Sequence, residues 1–283
     1  DRSGWWEHLR KVAVARGHDV RVFSDPTHPD DGTVFARLHH HPDVRARDKA
    51  MMAHLAPNPG IVLVPNYRSS VLYDDKAEQA RQLARWMPRT MTLHSMAEAE
   101  RALSALGLPL MSKCAEGAGS HNVRLIATKD QAMAEVRAVF GGAGIPCHYG
   151  QVQKGYLLWQ QFLPGNDYDF RVIAIGRERL ILRRGNRDDR PMASGSNREM
   201  PIAWPDKEAS EVLAFADAFF AEERMPWCGI DVVRDHEASR WVVLECTVGW
   251  PLGNMGAHNF VSGRSGKEFW QIVMDELEAG TCH

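Results

Sequence analysis

A chain of 283 residues exceeds what one hydrophobic core usually serves, so two or three packed subdomains are expected. Its 34 basic and 36 acidic residues leave a net charge of -2, which excludes a whole-chain field for nucleic acid or an anionic membrane; nucleic-acid binding is not indicated. No window approaches the roughly 18 consecutive apolar residues of a membrane span and the first residues are not a signal peptide, so a soluble, cytoplasmic protein with no membrane partner is expected.

Trp5 to Arg16 places Trp5, Leu9, Val12 and Ala13 on one face and stops at Gly17, which predicts an amphipathic helix. Asp19 to Phe23 alternates as a strand, Thr33 to Leu38 is a second β candidate, Arg45 to Leu55 a helix, and Gly60 to Val64 an apolar, fully buried type of strand. Helix, strand, helix, strand is the rhythm of an open parallel sheet. The first strand of such a unit would precede Trp5, so a short N-terminal piece is expected to be missing. Asp74 to Trp86 reads as a helix with Lys76 in its first turn, Thr90 to Leu93 is extended, and Ser95-x-x-Glu98 is a capping box for a helix to Leu106.

Leu108 to Met111 and Val123 to Ala127 then read as strands on either side of Lys113 and the loop Glu116 to Asn122. A lysine closing an apolar run before a small-residue loop suits phosphate, because Gly117 and Gly119 leave backbone N–H groups unobstructed. The pattern is neither the P-loop nor a dinucleotide fingerprint, both of which need a helix directly after the glycines. Thr128-x-x-Gln131 caps a helix to Phe140. Strand, loop, strand, helix is a small α+β unit suited to a mobile lid, and Gly141 to Gly144 predict a flexible break after it.

From Tyr156 the pattern changes to successive strands, Tyr156 to Leu163, Phe170 to Ile175 and Leu180 to Arg184, joined antiparallel through Pro164-Gly165-Asn166 and Gly176-Arg177-Glu178. Asn186 to Asn197 is a polar loop. Lys207 to Glu222 is a helix with Val212, Leu213, Ala216, Phe219 and Phe220 inward. Strands Cys228 to Arg234 and Trp241 to Cys246 follow, and a helix from Gly266 to Leu277, capped by Ser265-x-x-Glu268, closes the chain.

The last hairpin carries the chemistry that a phosphate loop needs. A turn centred near Ala238 sets Asp231 opposite Glu245, and like charges directly opposite on a sheet are destabilising. Such a pair belongs either on a solvated face or around a cation. Both flanks are apolar, Cys-Gly-Ile-Asp-Val-Val and Val-Val-Leu-Glu-Cys, and two carboxylates with room for water and phosphate oxygens suit octahedral Mg²⁺. Tyr156 to Leu163 is an apolar strand interrupted by Gln160 and Gln161 before Phe162, which is either an adenine slot or an ordinary strand with one polar face. Asp169 and Arg171 share a face at i, i+2, and Arg183 and Arg184 end the next strand.

Other residues have plainer readings. Five scattered cysteines with no CxxC indicate neither a disulfide framework nor a zinc site, and Cys114, Cys228 and Cys246 read as small core fillers. His39, His40 and His41 point to alternate faces of a strand, so they do not share one ion and suit a loop entrance or solvated edge. Trp5 and Trp6 suit interdomain packing.

The order Lys76, Lys113, glycine loop, Gln-Gln-Phe, Asp-x-Arg, Arg-Arg, a Ser-Asn loop and a final Asp and Glu resembles the ATP-grasp superfamily, particularly its ribosomal-protein glutamate ligase branch. The resemblance runs from about Tyr73 to Gly253. It implies an ATP-grasp fold, two α+β subdomains clamping a nucleotide, preceded by an open α/β domain: 1–72 the N-terminal pre-ATP-grasp domain, 73–150 the central lid subdomain with the phosphate loop, and 151–283 the C-terminal subdomain with the metal site. Carried onto this sequence, it implies that Lys76, Lys113, Glu116, Gly117 and Gly119 attend the phosphates and that Gln160, Gln161 and Phe162 hold adenine. Asp169, Arg171, Arg184 and Asn197 would complete the nucleotide and reaction site, and Asp231, Glu245 and Thr247 would hold metal. Two positions depart from the family. Thr247 stands where Glu-x-Asn has its asparagine, for which Asn254 is a candidate substitute, and Gly195 stands where Arg-Ser-Asn has its arginine.

The resemblance implies ATP and Mg²⁺ as cofactors, a small carboxylate substrate and an amine acceptor as partners, and allows a homo-oligomer. The implied reaction activates the carboxylate as an acyl phosphate that the amine attacks. The alternatives on the same fold are a kinase acting on a hydroxyl and a nucleotide-binding homologue without catalysis, the latter suggested by Thr247 and Gly195.

Overall fold

The computed structural model describes residues 5–22, 31–117, 123–188, 193, 198–249 and 252–282. Helix α1 (Trp5–Ala15) ends at Gly17, whose φ of +89° is a left-handed conformation that glycine adopts without steric cost. Asp19 to Val22 form no strand, contrary to expectation, and Phe23 lies outside the described residues. The two valines alternate as a strand would, but no described strand pairs with them and Val22 stays 68% exposed. Strands β1 (Gly32–Phe35) and β2 (Ile61–Val64) do pair, in parallel, with α2 (Pro42–Leu55) as their crossover. That helix starts earlier than its apolar periodicity suggests because Pro42 fits its first turn, where the missing N–H costs nothing.

An unexpected helix, α3 (Tyr67–Leu72), precedes the helix expected over Asp74 to Trp86, which is observed in a shorter form as α4 (Lys76–Gln82). Asn66 caps α3 by accepting from the Ser69 N–H, and Asp75 caps α4 by accepting from the Glu78 N–H. Between them Asp74 sits at φ +49°, which interrupts the helical path and turns its carboxylate inward.

The unit expected to form a lid follows, with β3 (Thr90–Leu93), α5 (Met96–Leu106), β4 (Leu110–Lys113), β5 (Val123–Ile126) and α6 (Lys129–Gly141). Thr128 and Gln131 close a full capping box, whereas Glu98 reaches back to the His94 N–H and leaves Ser95 to cap α5 alone. Instead of a flexible break, a short ribbon of β6 (Ile145–Pro146) and β7 (Val152–Gln153) follows α6. Gly144 is packed there, since a Cβ would meet the Val152 side chain at 2.5 Å.

Strand β8 (Leu157–Gln161) corrects the sequence reading most. It does not pair with the strands that follow it but inserts between β3 and β4, giving a four-stranded sheet of order β3-β8-β4-β5 that extends beyond residue 150. Leu157 and Trp159 complete the core that Leu93, Leu110, Ile126 and Val136 form beneath α5 and α6, so both edges of β8 are needed by this sheet. Pro164-Gly165-Asn166 therefore crosses between sheets rather than closing a hairpin.

The second sheet contains β9 (Tyr168–Ile175), β10 (Glu178–Gly185), β11 (Glu199–Met200), β12 (Trp227–Asp235) and β13 (Arg240–Thr247), antiparallel throughout in the order β11-β10-β9-β12-β13. Helix α7 (Lys207–Glu222) covers one face, burying Val212, Ala216, Phe219 and Phe220 against Phe170, Val172, Ile230 and Val243, while Leu213 is only partly buried. Each fully buried valine, isoleucine or phenylalanine among them contributes roughly 1.5–3 kcal/mol of hydrophobic stabilisation. After a 3₁₀ turn at Gly266–Glu268, whose cap Ser265 accepts from the Lys267 N–H, α8 (Phe269–Glu278) covers half of the opposite face at Ile173, Ile175 and Leu180. Val64 and Phe35 join that same core and seat the N-terminal unit on it.

The cysteine expectation is partly overturned. Cys114 and Cys147 form a disulfide across 33 residues, because the fold returns β6 beside the end of β4, a proximity no spacing rule reports. Cys228, Cys246 and Cys282 are free and buried. Among the described residues no helix is long and apolar enough to cross a membrane.

Candidate functional site

Strand periodicity decides what each sheet presents to the cleft between them. In the lid, residues of β4 and β8 alternate between the helix-covered core and the cleft, so Met111, Lys113 and Gln160 face inward. In the floor, the face not covered by α7 is apolar where α8 packs and polar beyond it. There Asp169 and Arg171 of β9, Arg184 of β10, Asp231 of β12 and Glu245 of β13 lie side by side. The cleft holds about 800 Å³ of empty space, its open mouth included, and is lined by Lys76, Lys113, Gln160, Phe162, Asp231 and Glu245 among others.

The expected register of the last hairpin is observed, with Asp231 opposite Glu245. A β-bulge after Asp231 leaves Leu244 as the extra residue, a device that re-aims side chains and recurs beside active sites. The floor carboxylates are closely compensated. Arg171 donates from Nε to Asp231 Oδ1 at 2.7 Å and from Nη2 to Oδ2 at 2.9 Å. Arg184 donates to both oxygens of Asp169, at 2.8 and 2.6 Å, and lies 2.9 Å from Asp231 Oδ2. Burial would raise the Asp231 carboxyl, but Arg171 and Arg184 overcome it and hold the group well below the usual carboxylate range. Burial prevails at Asp169, pushing it up against the opposing pull of Arg184.

The two lysines differ although both are buried, 5% exposed for Lys76 and 8% for Lys113. Lys76 donates to the Gly117 carbonyl at 2.6 Å and lies 3.1 Å from Glu245 and 3.8 Å from Asp74. Burial opposes its charge, but Glu245 and Asp74 outweigh that and raise the ammonium above its ordinary value. The Lys113 ammonium makes no hydrogen bond or ion pair with the described residues. Burial, aided by Lys76 and opposed by Glu245 and Asp231, pushes it down to about 8. A buried cation without a partner among the described residues, facing open space, is suited to an anion.

The stem of the small-residue loop is held from several sides. Lys76 N–H donates to the Ala115 carbonyl at 2.8 Å, the Ala115 N–H donates to the Tyr156 hydroxyl at 3.1 Å, and the Gly117 N–H donates to Asp74 Oδ1 at 2.8 Å. Gly117 has φ +107°, so the loop leaves the strand in a glycine-only conformation. Its N–H is therefore not open to phosphate as expected, because the carboxylate of Asp74 already occupies it.

No protein-family model matches this chain, and no curated protein does. Solved structures match it over nearly all of its length. A RimK domain ATP-grasp protein from Sphaerobacter thermophilus DSM 20745 superposes with a TM-score of 0.61 at 18% identity, covering 96% of this chain and 94% of that one. The ATP-grasp ligase PsnB, in complex with a minimal precursor, Mg and ADP, gives 0.58 at 14% identity with the same coverage, 96% and 94%. The chain has the ATP-grasp fold. N5-carboxyaminoimidazole ribonucleotide synthetase from Thermus thermophilus gives 0.58 at 15% identity, and the match covers 86% of this chain but 61% of that longer one.

On this ATP-grasp framework the structure brings Lys76, Lys113, Gln160, Gln161, Phe162, Asp169, Asp231 and Glu245 into one cleft. Gln160 is oriented by its donation to Thr90 Oγ1 at 2.8 Å. Arg171 and Arg184 stand beside the cleft, engaged with its carboxylates. Glu116 points instead to Arg45 and to Gln151, at 2.5 and 2.8 Å. Thr247 does not line the cleft, and its hydroxyl accepts from the Gly249 N–H at 3.1 Å. Gly119, Gly195, Ser196 and Asn197 lie outside the described residues, as do the side chains of Trp5 and Asn254. The three histidines share no ligand: His39 bonds Asp48 at 2.8 Å, half-buried His40 meets the Tyr73 hydroxyl at 2.9 Å rather than a solvated edge, and the His41 ring lies 5.4 Å from that of Tyr149.

Sequence reasoning missed Arg45 and Asp74. An aspartate adjoining the Asp75-Lys76 pair, at a position that breaks a helix, was the available signal for one. Arg45 gave none, because it belongs to the N-terminal unit and meets the site only through the tertiary fold.

Proposed function

We propose that the chain is an ATP-dependent enzyme forming a carbon–nitrogen bond between a carboxylate and an amine, with release of ADP and phosphate. The observation that carries this reading is Lys113, a buried ammonium, unpaired among the described residues, that lines one ATP-grasp cleft together with Asp231 and Glu245. The carboxylate oxygen of the substrate attacks the γ-phosphorus and the bond to the ADP oxygen breaks, giving an acyl phosphate. The amine then attacks the acyl carbon, phosphate leaves, and the amine nitrogen loses a proton. Lys113 and Lys76 hold phosphate oxygens, and Arg171 and Arg184 balance charge that builds on phosphate and acyl oxygens. Gln160, Gln161 and Phe162 form the base end, where Gln161 also anchors its strand by donating its N–H to the Arg89 carbonyl at 2.8 Å.

The donor set suits Mg²⁺ brought in with nucleotide. Glu245 and Asp231 line the same cleft, and Mg²⁺ is typically held by one or two carboxylates together with phosphate oxygens. Among the described residues no three His, Cys, Asp or Glu side chains gather to hold a metal unaided, which fits a cation completed by phosphates. When bound, Mg²⁺ supplies charge neutralisation at the transferring phosphoryl group. The bound Mg and ADP of PsnB agree with this composition.

Hydroxylamine added with ATP, Mg²⁺ and a panel of small carboxylates is the test. A hydroxamate is expected with the true acid and identifies it. ADP without hydroxamate, alongside a stable phosphoproduct, indicates a kinase. Stabilisation by ATP without turnover indicates a non-catalytic nucleotide-binding protein, the reading favoured by the absence of Thr247 from the cleft lining.

A further inference from the structure

Arg45 lies on α2, in the N-terminal unit, and is 4% exposed. Its guanidinium spans two carboxylates from different parts of the chain. One is Asp74, in the turn before Lys76, and the other is Glu116, in the turn after Lys113, whose carboxylate lies 2.5 Å from Arg45 Nη2. Arg45 Nη1 also donates to the His40 carbonyl at 3.3 Å, which ties the fork to its own unit. Asp74 in turn accepts the Gly117 N–H with its other oxygen, and Lys76 holds the Gly117 carbonyl. Arg45 thus holds Glu116 directly and Gly117 through Asp74, beside the direct bonds from Lys76 to the Gly117 carbonyl and from Gln151 to Glu116.

The geometry points to Arg45 as a positioning residue for the phosphate end of the cleft. It holds Lys76 and the loop stem in one arrangement, and it makes that arrangement conditional on the N-terminal unit. This rests on the nucleotide-binding reading of the cleft. A planar fork with several fixed donors can satisfy two carboxylates together, which a lysine ammonium at the same place cannot do with the same geometry. A burial role alone would hold the N-terminal unit to the rest of the protein and leave the cleft's affinity untouched.

The test measures ADP affinity, with and without Mg²⁺, and thermal stability for the intact wild-type chain, Arg45→Lys, Glu116→Gln and the double variant. Glu116 is partly exposed, so Glu116→Gln remains informative if Arg45→Lys fails to fold. The expected result is an ADP Kd weakened about tenfold in each single variant with melting temperature nearly retained in Glu116→Gln, and a double variant no weaker than Arg45→Lys, since both act through one contact. An unchanged Kd in Glu116→Gln, or a Kd in Arg45→Lys that changes only with the folded fraction, overturns the assignment. If the wild-type chain itself fails to bind ADP, the nucleotide reading falls, and this proposal with it.

Discussion

The floor and the lid of the cleft solve the problem of buried charge in opposite ways. On the floor Asp231 is held by Arg171 and Arg184, Asp169 by Arg184, and Glu245 by Lys76, so attraction between neighbours offsets much of the desolvation. The lid contributes Lys113, equally buried, with no counter-ion among the described residues, and its lowered pKa records the cost. The floor is therefore stable as it stands, whereas the lid carries stored electrostatic cost that an anion can relieve. A site that binds by completing an existing charge imbalance gains more from its ligand than one that must first break its own ion pairs.

Breaking the floor's compensation has the largest expected effect. Asp231→Asn leaves the partly buried Arg171 without its bidentate partner, and removing the buried member of such a pair costs up to about 3–5 kcal/mol. A fall in melting temperature of roughly ten degrees is expected, and scanning calorimetry checks it. A change within error would mean that solvent reaches the network and that the floor is not the stable jaw.

Removing the lid's charge acts in the other direction. Lys113→Met deletes a cation whose folded pKa, about 8, lies below its unfolded value near 10.4. The folded state binds fewer protons between those values, so the ammonium's burial cost is present in full below pH 8 and fades as pH rises towards 10. At pH 7 the variant should therefore be more stable, by on the order of 3 kcal/mol at most, while losing nucleotide binding. Urea unfolding at pH 7 and pH 10 measures both the gain and its disappearance. Equal stability of wild type and variant at pH 7 would remove the contrast between the jaws.

How far this contrast is legible in the sequence depends on the separation of the partners. Asp231 faces Glu245 across a hairpin, and hairpin register follows from the turn, so their opposition can be read directly. Helix α7 matches its expected span because its periodicity and its capping aspartate, Asp206, agree. Lys113 and its loop are visible as a pattern, but that the ammonium lacks a partner is a property of space. Strand β8 has the composition of a buried strand and nothing in it names its neighbours, so chain order alone places it in the wrong sheet. The same holds for Cys114 with Cys147 and for Arg45, where residues distant in sequence meet. Arg171 and Arg184 can be located from the resemblance, yet their engagement with Asp231 cannot, because the resemblance describes a loaded site.

Loosening the tie between the jaws should have an intermediate effect. Glu245→Gln takes from Lys76 its nearest carboxylate, leaving Asp74 at 3.8 Å, so a loss of about 1–2 kcal/mol is expected. The stimulation of nucleotide binding by Mg²⁺ should fall more than binding without metal, and titration calorimetry separates the two. Equal losses with and without Mg²⁺ would reassign Glu245 from metal holding to the support of Lys76.

The smallest effect sharpens the comparison most, because it concerns a single proton. Phosphate oxygens favour the charged form of Lys113, so its pKa must rise when nucleotide binds. Affinity should then be constant below pH 8 and weaken by about tenfold per pH unit above it, until the pH reaches the bound-state value. Lys76, raised by Glu245 and Asp74, stays charged through that interval and cannot produce the same limb. Lys113→Arg keeps the charge on a group that does not deprotonate in this range, so its affinity should be flat with pH even if weaker overall. An alkaline limb surviving in Lys113→Arg would assign the titration to another group and leave the lid no different in kind from the floor.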